Sequence, residues 1–135
     1  MAGDRSAIRR FLDGGPFAVA GASRSRTKYG NKVLRAYLQT GRRVYPVNPN
    51  ADDVEGLRAW PDLASLPERP HALSIVTPPD TTQAIVRDAI ELGIEHLWLQ
   101  PGAEQDSAIG LAERAGCNII HSGPCILVAL SFREA

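Results

Sequence analysis

Short apolar runs alternate along this chain with helix-length segments, and this alternation restricts the folds that the chain can adopt. Helix-length connections join parallel strands, because a tight turn can only reverse the chain direction. The pattern therefore predicts a doubly wound parallel α/β sheet with helices on both faces, in three α/β/α layers. Five segments have the apolar character and the Gly or Pro boundaries of buried strands, namely FAVAG (17–21), RRVYPVNP (42–49), HALSIVTPPD (71–80), EHLWLQPG (95–102) and CNIIHSGP (117–124).

Amphipathic segments occupy the spaces around these strands. Helices are predicted within DRSAIRRFLDGG (4–15), over residues 29–40 and over residues 104–115. A further helix is predicted to run from Asp80 to Gly93, with Asp80 as N-cap and Gln83 completing a capping box. The Pro-rich segment 56–70 is predicted to form a short edge strand and a turn of helix, and the tail after residue 125 has no clear assignment.

The length of 135 residues is typical of one domain, so residues 1–135 are predicted to form a single domain. No apolar run approaches the ~18 residues of a membrane span, and the N-terminal segment lacks the apolar core of a secretory signal. Cys117 and Cys125 have no spacing typical of a disulfide framework or a zinc site. These features predict a cytoplasmic protein without membrane attachment.

Charge is unevenly distributed, although the net charge of the chain is zero. No Asp or Glu lies between Gly14 and Ala51, and the remainder of the chain carries a net charge of −7. A basic region on a neutral protein favours a specific anion site over a nucleic-acid surface. A solvated helix face with scattered cations is the alternative. The seven cations of this region are Arg24, Arg26, Lys28, Lys32, Arg35, Arg42 and Arg43.

The segment after the first predicted strand, GASRSRTKYG (21–30), has the composition of an anion-binding loop. Gly21 permits a tight turn, and the N–H groups that follow can hold a phosphate at a helix N-terminus. Gly30 lies in the first turn of that helix, where a missing side chain permits close approach. A side chain at Gly21 is expected to block the approach of a diphosphate. The alternative interpretation of the whole segment is an ordinary polar loop without a ligand. Hydroxyls and cations line the loop, at Ser23, Ser25, Thr27, Arg24, Arg26 and Lys28.

The second and third strand exits indicate which nucleotide such a loop could serve. NAD-binding folds place an Asp or Glu after the second strand, but here the exit is VNPN (47–50). Asn48 can hydrogen-bond a base or a ribose, or it can simply form a turn before Pro49. The third exit, TPPD (77–80), offers either a flat apolar wall for an adenine ring or only a sharp turn. The missing acid argues against a nicotinamide dinucleotide.

Several blocks of the sequence, taken in order, resemble one protein family. They are VAGAS…KYGNKV, VYPVNPNADDVEGLRAWPDLASLP, IVTPPD, LWLQPGAE and GPC, and they cover about residues 10–128. The chain is similar to the standalone CoA-binding proteins, which are related to the N-terminal domain of the succinyl-CoA synthetase alpha subunit. The resemblance implies a Rossmann-like fold that holds the nucleotide portion of coenzyme A in a crevice at the carboxyl ends of the strands.

Matching positions also imply the ligand contacts, in three groups. The first group would form a phosphate loop, the second a wall beside the adenosine, and the third the opposite wall. They are Gly21, Ala22, Ser23, Arg24, Lys28 and Tyr29 for the loop, Val47, Asn48 and Pro49 for the adenosine wall, and Thr77, Pro78 and Pro79 opposite.

The remaining reactive residue types do not suggest catalysis. His71, His96 and His121 are far apart in sequence without metal-ligand spacing, and they are expected to be structural. Cys117 is expected to be buried, and Cys125 is expected to face the crevice without a neighbouring base. The sequence therefore predicts a protein that binds CoA or a short acyl-CoA, with no metal and no reaction of its own.

Two alternatives remain open from the sequence. One is an NAD(P)-binding redox sensor or dehydrogenase-like module, which the missing acid after the second strand disfavours. The other is an interaction module with a vestigial pocket, acting as a homodimer or with another protein partner. For the CoA-binding protein and for the NAD(P)-binding module, the expected partner is a small nucleotide ligand and not a nucleic acid.

Overall fold

A parallel sheet forms the centre of the described part of the chain, residues 5–134 of a computed structural model. The strands in chain order are β1 (Phe17–Ala20), β2 (Val44–Val47), β3 (Asp53–Val54), β4 (Leu57–Arg58), β5 (Ala72–Ile75), β6 (His96–Leu99) and β7 (Asn118–Ile120). Five of them form one sheet in the order β2–β1–β5–β6–β7, and every pairing in it is parallel, as predicted. The order reverses between β1 and β5, so the switch point of the sheet lies there.

Helices cover both faces of this sheet, and they are α1 (Arg5–Leu12), α2 (Tyr29–Gln39), α3 (Pro79–Glu91), α4 (Asp106–Arg114) and α5 (Ile126–Ala129). Buried side chains of α1, α2 and α5 cluster with Phe17 and Val19, whereas those of α3 and α4 cluster with Ala18 and Ala20. Successive strand residues point to opposite faces, so β1 contributes alternately to the two layers. The structure confirms the predicted three-layer, Rossmann-like α/β fold.

Aromatic packing anchors α2 on the sheet. The rings of Phe17 and Tyr37 stack at 4.9 Å between centroids, and Tyr37 is fully buried. The Tyr37 hydroxyl shares a hydrogen bond of 2.6 Å with Ser74 Oγ, so the polar end of this ring has a partner inside the core. A stacked pair of this kind contributes about 0.5–1.5 kcal/mol beyond its buried area. The contacts hold α2 so that its N-terminus lies at the exit of β1.

The segment between β2 and β5 differs from the prediction. A small antiparallel hairpin of β3 and β4 stands outside the main sheet, and residues 56–70 contain no helical turn. The hairpin turn has positive φ at Glu55 (51°) and Gly56 (78°), the combination found in tight two-residue hairpins. Trp60 then joins the sheet edge, since its N–H donates to Pro46 O (3.0 Å). The segment does contain a short strand, β4, but that strand pairs with β3 outside the main sheet, and the predicted helical turn is wrong.

Two helix starts also differ from the prediction. α3 begins at Pro79 and has Pro78 as N-cap, so Asp80 lies inside the first turn and forms no capping box. Proline is favoured at the first helical position because its φ suits the helix, and the Asp80 carboxylate still favours the positive end of the helix dipole. α4 begins at Asp106, where the Gln105 side chain accepts a hydrogen bond from Ala108 N.

Candidate functional site

The carboxyl ends of four sheet strands converge at the switch point. The N–H of Gly21 donates to Val47 O (3.2 Å), which joins the exits of β1 and β2. The N–H of Val76 donates to Ala20 O (2.9 Å), and the N–H of Gln100 donates to the end of β5 (3.0 Å). These bonds bring the exits of β1, β2, β5 and β6 into one crevice, where open α/β sheets bind ligands.

Two glycines allow the closest backbone approaches in this crevice. Gly21 has a φ of +93°, and a Cβ built there would strike the carbonyl oxygen of Val76. A Cβ on Gly30 would strike the carbonyl oxygen of Gly21 in the same way. A side chain at Gly21 would therefore collide with the neighbouring strand exit, and the expectation that it would also block a diphosphate stays a prediction. Both glycines serve the packing of α2 against β1 and β5.

The β1–α2 loop (residues 21–28) is held in shape by hydrogen bonds to α2. Asn31 Nδ2 donates to Ser23 O (2.8 Å), and Arg35 Nη2 donates to Arg26 O (3.0 Å). Within the loop, the N–H of Ser25 donates to Ser23 Oγ (3.1 Å). Asn31 and Arg35 are buried although they are polar, because the loop carbonyls satisfy their donors. The loop is therefore preorganised rather than merely polar.

The N-terminus of α2 faces this loop with its first N–H groups available. Lys28 is the N-cap residue, and no side chain caps the helix there. The first N–H groups of a helix have no acceptor within the helix, and they carry the positive end of the helix dipole. An open helix start beside a preorganised loop is chemically suited to a phosphate group.

The basic region predicted from the sequence is largely neutralised by acids from distant segments. Arg24 forms an ion pair with Asp53, and its Nε also donates to Asp53 O (2.9 Å). Arg26 Nε lies 3.7 Å from a Glu55 carboxylate oxygen. Lys28 has neither an ion pair nor a side-chain hydrogen bond within residues 5–134. Among the described residues of this loop, Lys28 is therefore the cation without an ion pair, whereas Arg24 and Arg26 each have a carboxylate partner.

The side chain of Arg35 connects the loop to the end of the chain. Its Nη1 donates to Glu134 Oε1 (2.8 Å), and its Nε donates to Asn31 Oδ1 (2.7 Å). This hydrogen bond from Arg35 lowers the pKa of the Glu134 carboxyl. The sequence signal for this role was weak, since Arg35 was indistinguishable from the other cations of its region.

The predicted wall residues differ in how much surface they offer. Ala22 and Val47 are buried, with 2% and 3% of their surface exposed, so they support the crevice from beneath. Asn48 Nδ2 donates to Ala22 O (2.9 Å), and its Oδ1 accepts from Asn50 N (2.7 Å), so this amide ties two exits together. Pro49 is exposed beside it.

The third exit forms one side of a shallow cleft with the fourth. Thr77 Oγ1 shares a hydrogen bond of 2.7 Å with Thr82 Oγ1, which fixes the start of α3. Pro78 and Pro79 are exposed, as the role of an apolar wall requires. The cleft between the two exits is lined by Val76, Thr77, Pro78, Pro101, Gly102 and Ala103.

Tyr29, Gln100 and Cys125 form a cluster that the sequence reasoning did not assemble. The Tyr29 hydroxyl lies 2.6 Å from Cys125 Sγ and 3.3 Å from Gln100 Oε1. The Gln100 amide oxygen also accepts from Ile126 N (3.0 Å), whereas its Nε2 has no partner in the described part of the chain. A buried donor without an acceptor costs about 1–3 kcal/mol. Burial raises the pKa of Tyr29, so its hydroxyl keeps its proton.

The signals for this cluster were present but scattered. Cys125 was expected to face the crevice, and Tyr29 was among the predicted contacts, but Gln100 was identified only as part of the strand segment EHLWLQPG (95–102). A polar residue at the end of the apolar run HLWL was the available clue. The unassigned tail matters here, because α5 begins directly after Cys125 and buries Ile126 in the core.

Two of the three histidines, His71 and His96, lie at the opposite end of the sheet, whereas His121 follows β7. His71 precedes β5 and His96 begins β6, and their rings lie 4.4 Å apart. No group of three His, Cys, Asp or Glu side chains within residues 5–134 could hold a metal ion. Cys117 is partly buried, and that burial raises the pKa of its thiol.

The His71–His96 pair predicts a pH dependence of stability. Burial, and then the charge of His71, lower the pKa of His96 below its ordinary value of 6.5. The unfolded chain therefore binds the proton more readily, and the free energy of unfolding should fall as the pH drops below about 6.5. One proton limits this effect to about 1.4 kcal/mol per pH unit, and partial exposure of His96 reduces it further. Urea unfolding between pH 7.5 and 5 measures it.

A His96→Gln variant should lose part of this dependence, whereas His121→Gln should keep it, since His121 bonds only to the adjacent Ser122 among the described residues. An unchanged pH profile in His96→Gln would assign the effect to other groups.

The chain matches a known protein family over most of its length. A family described as a CoA binding domain matches residues 16–131, which is most of the chain. This chain belongs to the CoA-binding domain family. The membership confirms the resemblance noted from the sequence blocks around the β1–α2 loop and the later strand exits.

Relatives of this CoA-binding domain occur in larger enzymes and as small proteins. Acetate–CoA ligase [ADP-forming] II of Archaeoglobus fulgidus is 31% identical over 80 residues, which are 58% of this chain and 12% of the ligase. A conserved hypothetical protein from Pyrococcus furiosus is 38% identical with a TM-score of 0.79, over 84% of this chain and 97% of that one. The dinucleotide-forming acetyl-coenzyme A synthetase 1 of Ca. Korarchaeum cryptofilum is 27% identical with a TM-score of 0.67, over 76% and 25%.

The CoA-binding domain therefore spans about an eighth of the ligase that it matches, whereas it covers nearly all of the Pyrococcus protein. No helix within residues 5–134 is long and apolar enough to cross a membrane.

Proposed function

We propose that this protein binds coenzyme A or a short acyl-CoA in the crevice at the carboxyl ends of β1, β2, β5 and β6. The observation that carries the proposal is the open N-terminus of α2 beside the preorganised β1–α2 loop. A diphosphate there would meet several N–H donors at the positive end of a helix dipole. Family membership supports CoA as the nucleotide that carries this diphosphate.

The predicted contact residues take distinct roles in this proposal. Gly21 and Ala22 shape the loop from beneath, and Ser23 is held at the loop surface. Lys28 and Arg24 supply the cations, and Tyr29 begins the helix that faces the phosphates. On either side of the adenosine, Val47, Asn48 and Pro49 form one wall, and Thr77, Pro78 and Pro79 form the other.

The ion pair of Arg24 is compatible with a role in ligand binding. Its side chain is 62% exposed and that of Asp53 is 61% exposed, so solvent screens the pair. Exposed pairs of this kind contribute about 0–1 kcal/mol, whereas a charge-assisted bond to a phosphate contributes about 1.5–3 kcal/mol. Exchanging the Asp53 partner of Arg24 for a phosphate group is therefore expected to be favourable in free energy.

The proposal excludes turnover by this chain alone and places the protein in the cytoplasm. Cys125 has Tyr29 and not a histidine as its hydrogen-bond partner, so no nucleophile–base pair of the kind used in acyl transfer is formed there. Incubation with acyl-CoA and ATP should release no free CoA at enzymatic rates. A homodimer or another protein partner is compatible with this role, and gel filtration with multi-angle light scattering measures the state.

Titration calorimetry with CoA, acetyl-CoA, NAD and NADP tests the proposed ligand. We expect CoA and acetyl-CoA to bind at least about tenfold more tightly than NAD, a difference of ~1.4 kcal/mol. The physical reason is that the exit after β2 offers Asn48, whose amide is engaged with Ala22 and Asn50, and no acid for a nicotinamide dinucleotide ribose. Tighter binding of NAD or NADP would overturn the proposal in favour of the redox-module alternative.

A further inference from the structure

We propose that Cys125 is a thiol-exchange site that forms a mixed disulfide with the pantetheine sulfur of CoA. This inference rests on the proposed function, because CoA must be bound before its thiol end can be directed to Cys125. The thiol lies at the exit of β7, and it contacts the hydroxyl of Tyr29, which is the first residue of α2. The proposed phosphate site and the cysteine are therefore joined by one side chain.

The Tyr29 hydroxyl is placed to stabilise the thiolate that exchange requires. Its oxygen lies 2.6 Å from Cys125 Sγ, and its single proton can point to the sulfur or to Gln100 Oε1. The amide oxygen already accepts from Ile126 N, so it does not depend on Tyr29. A thiolate at Cys125 would accept a charge-assisted hydrogen bond from this hydroxyl.

Gln100 supplies a second observation that points to a ligand at this cluster. Its side chain is fully buried, and its Nε2 has no acceptor within the described residues. The orientation of the amide is determined by Ile126, because a backbone N–H requires the oxygen and not the nitrogen. Since the oxygen of the same amide contacts Tyr29, the unpartnered donor lies at the Tyr29–Cys125 cluster.

The pantetheine arm of CoA combines the two groups that this cluster lacks. Its terminal sulfur suits the thiol of Cys125, and an amide carbonyl a short ethylene spacer away suits the donor of Gln100. Tyr29 and Cys125 are both partly exposed, so the arm can approach the cluster from the solvent side. The arm is longer than a tyrosine side chain, so it can reach from the α2 N-terminus to Cys125.

The chemistry is thiol–disulfide exchange with the disulfide of CoA as co-reactant. The Cys125 thiolate attacks one sulfur, the sulfur–sulfur bond of the CoA disulfide breaks, and a new bond joins Cys125 to one CoA. The second CoA leaves as a thiolate and takes up a proton, which balances the proton lost by Cys125. The disulfide is reduced as Cys125 is oxidised, so no other oxidant takes part. The reaction is stoichiometric and is not a turnover.

Cys117 provides a matched comparison within the same chain. Its Sγ lies 3.9 Å from Ile94 O, and no hydroxyl donates to it among residues 5–134. Burial and the charge of Glu95 raise the pKa of its thiol, which disfavours the reactive thiolate. The two cysteines should therefore differ in exchange although both are partly buried.

Intact-protein mass spectrometry with CoA disulfide, and with glutathione disulfide as the probe without a nucleotide, tests the inference. We expect one CoA adduct per chain, formed about tenfold or more faster than the glutathione adduct, because bound ligand raises the effective concentration of its sulfur. Peptide mapping should place the adduct on Cys125 in the unaltered protein. The Cys117→Ser variant should retain the adduct and Cys125→Ser should lose it. Tyr29→Phe, which lacks the hydroxyl that contacts Cys125, should form the adduct more slowly.

Calorimetry with reduced CoA separates this inference from the proposed function. Binding of CoA together with an adduct on Cys125 supports both. Binding of CoA without an adduct, or with the adduct on Cys117, overturns the exchange site and leaves the binding function standing. Absence of CoA binding, with CoA disulfide no faster than glutathione disulfide, overturns both. The mapping in the unaltered protein keeps the test valid even if Cys125→Ser fails to fold.

Discussion

Replacing Gly30 by alanine is expected to destabilise the fold by about 3 kcal/mol, at the upper part of the usual range for overpacking. The added Cβ, whose position is fixed by the backbone of α2, would strike the carbonyl oxygen of Gly21, a backbone group that cannot turn aside. Relief requires α2 to move away from β1, which would also disturb the β1–α2 loop. Urea unfolding followed by circular dichroism measures the loss of stability, and CoA affinity should fall in the same variant.

Gly110→Ala is the matched control, since it makes the same change inside another helix. The nearest atom to a Cβ there is Arg114 Nη1 at 3.1 Å, the end of a flexible side chain that can shift. Alanine is favoured over glycine within a helix by about 0.5–1 kcal/mol, so this variant should be slightly more stable. Equal stability of the two variants would contradict the role of Gly30 as a contact between α2 and the β1 exit.

Reversing the charge of Lys28 is expected to weaken CoA binding about a hundredfold, or ~2.7 kcal/mol, at low ionic strength. In the proposed site, Lys28→Glu would remove one charge-assisted bond to a phosphate, and it places a carboxylate at the open N-terminus of α2. Lys28 is suited to this test because it has no ion-pair partner within residues 5–134. Calorimetry at low and high salt measures the effect, which should shrink as salt screens the exposed loop.

Arg42→Glu controls for the change in net charge. Arg42 belongs to the same acid-free region but precedes β2 at the opposite end of the sheet, where it lies over the Phe17 ring at 5.9 Å. We expect nearly unchanged CoA affinity in this variant. An equal loss in both variants would mean that Lys28 acts only through the overall field of the protein.

Dephospho-CoA identifies which phosphate the loop cations contact. It should bind about tenfold more weakly than CoA if Arg24 or Lys28 contacts the ribose 3′-phosphate, since ~1.4 kcal/mol is one decade. That gap should close in the Arg24→Ala/Lys28→Ala double variant. Equal affinity for the two ligands at low salt would mean that Arg24 and Lys28 contact the diphosphate or only solvent, and not the 3′-phosphate.

Much of the architecture was predictable because its signals are local. The apolar runs that became β1, β5 and β6 carry their own burial pattern, and the amphipathic segments between them require parallel pairing. The hairpin of β3 and β4 was missed because it depends on positive φ at Glu55 as well as at Gly56. A glutamate in that conformation is uncommon, so the residue type alone did not indicate the turn.

The electrostatics of the candidate site were not predictable from the sequence. The sequence between Gly14 and Ala51 contains cations and no acid. In the fold, however, Asp53, Glu55 and Glu134 form ion pairs with cations of this segment. The sequence also indicated that Gly21 and Gly30 permit close approaches, but it did not indicate that a Cβ on Gly21 would meet Val76 O. The atom that a Cβ would meet depends on which strand lies beside the loop, and the strand order of the sheet determines that neighbouring strand.

The sequence by itself determined the alternation of strands and helices, the location of the strand exits and the loop suited to a phosphate. Each of these follows from burial periodicity and turn chemistry within a few residues. Only the tertiary structure decided which charges are paired, why Gly21 and Gly30 must lack side chains, and that Tyr29 meets Gln100 and Cys125. Those contacts join residues far apart along the chain, so they depend on the packing of the layers and have no local pattern that could encode them.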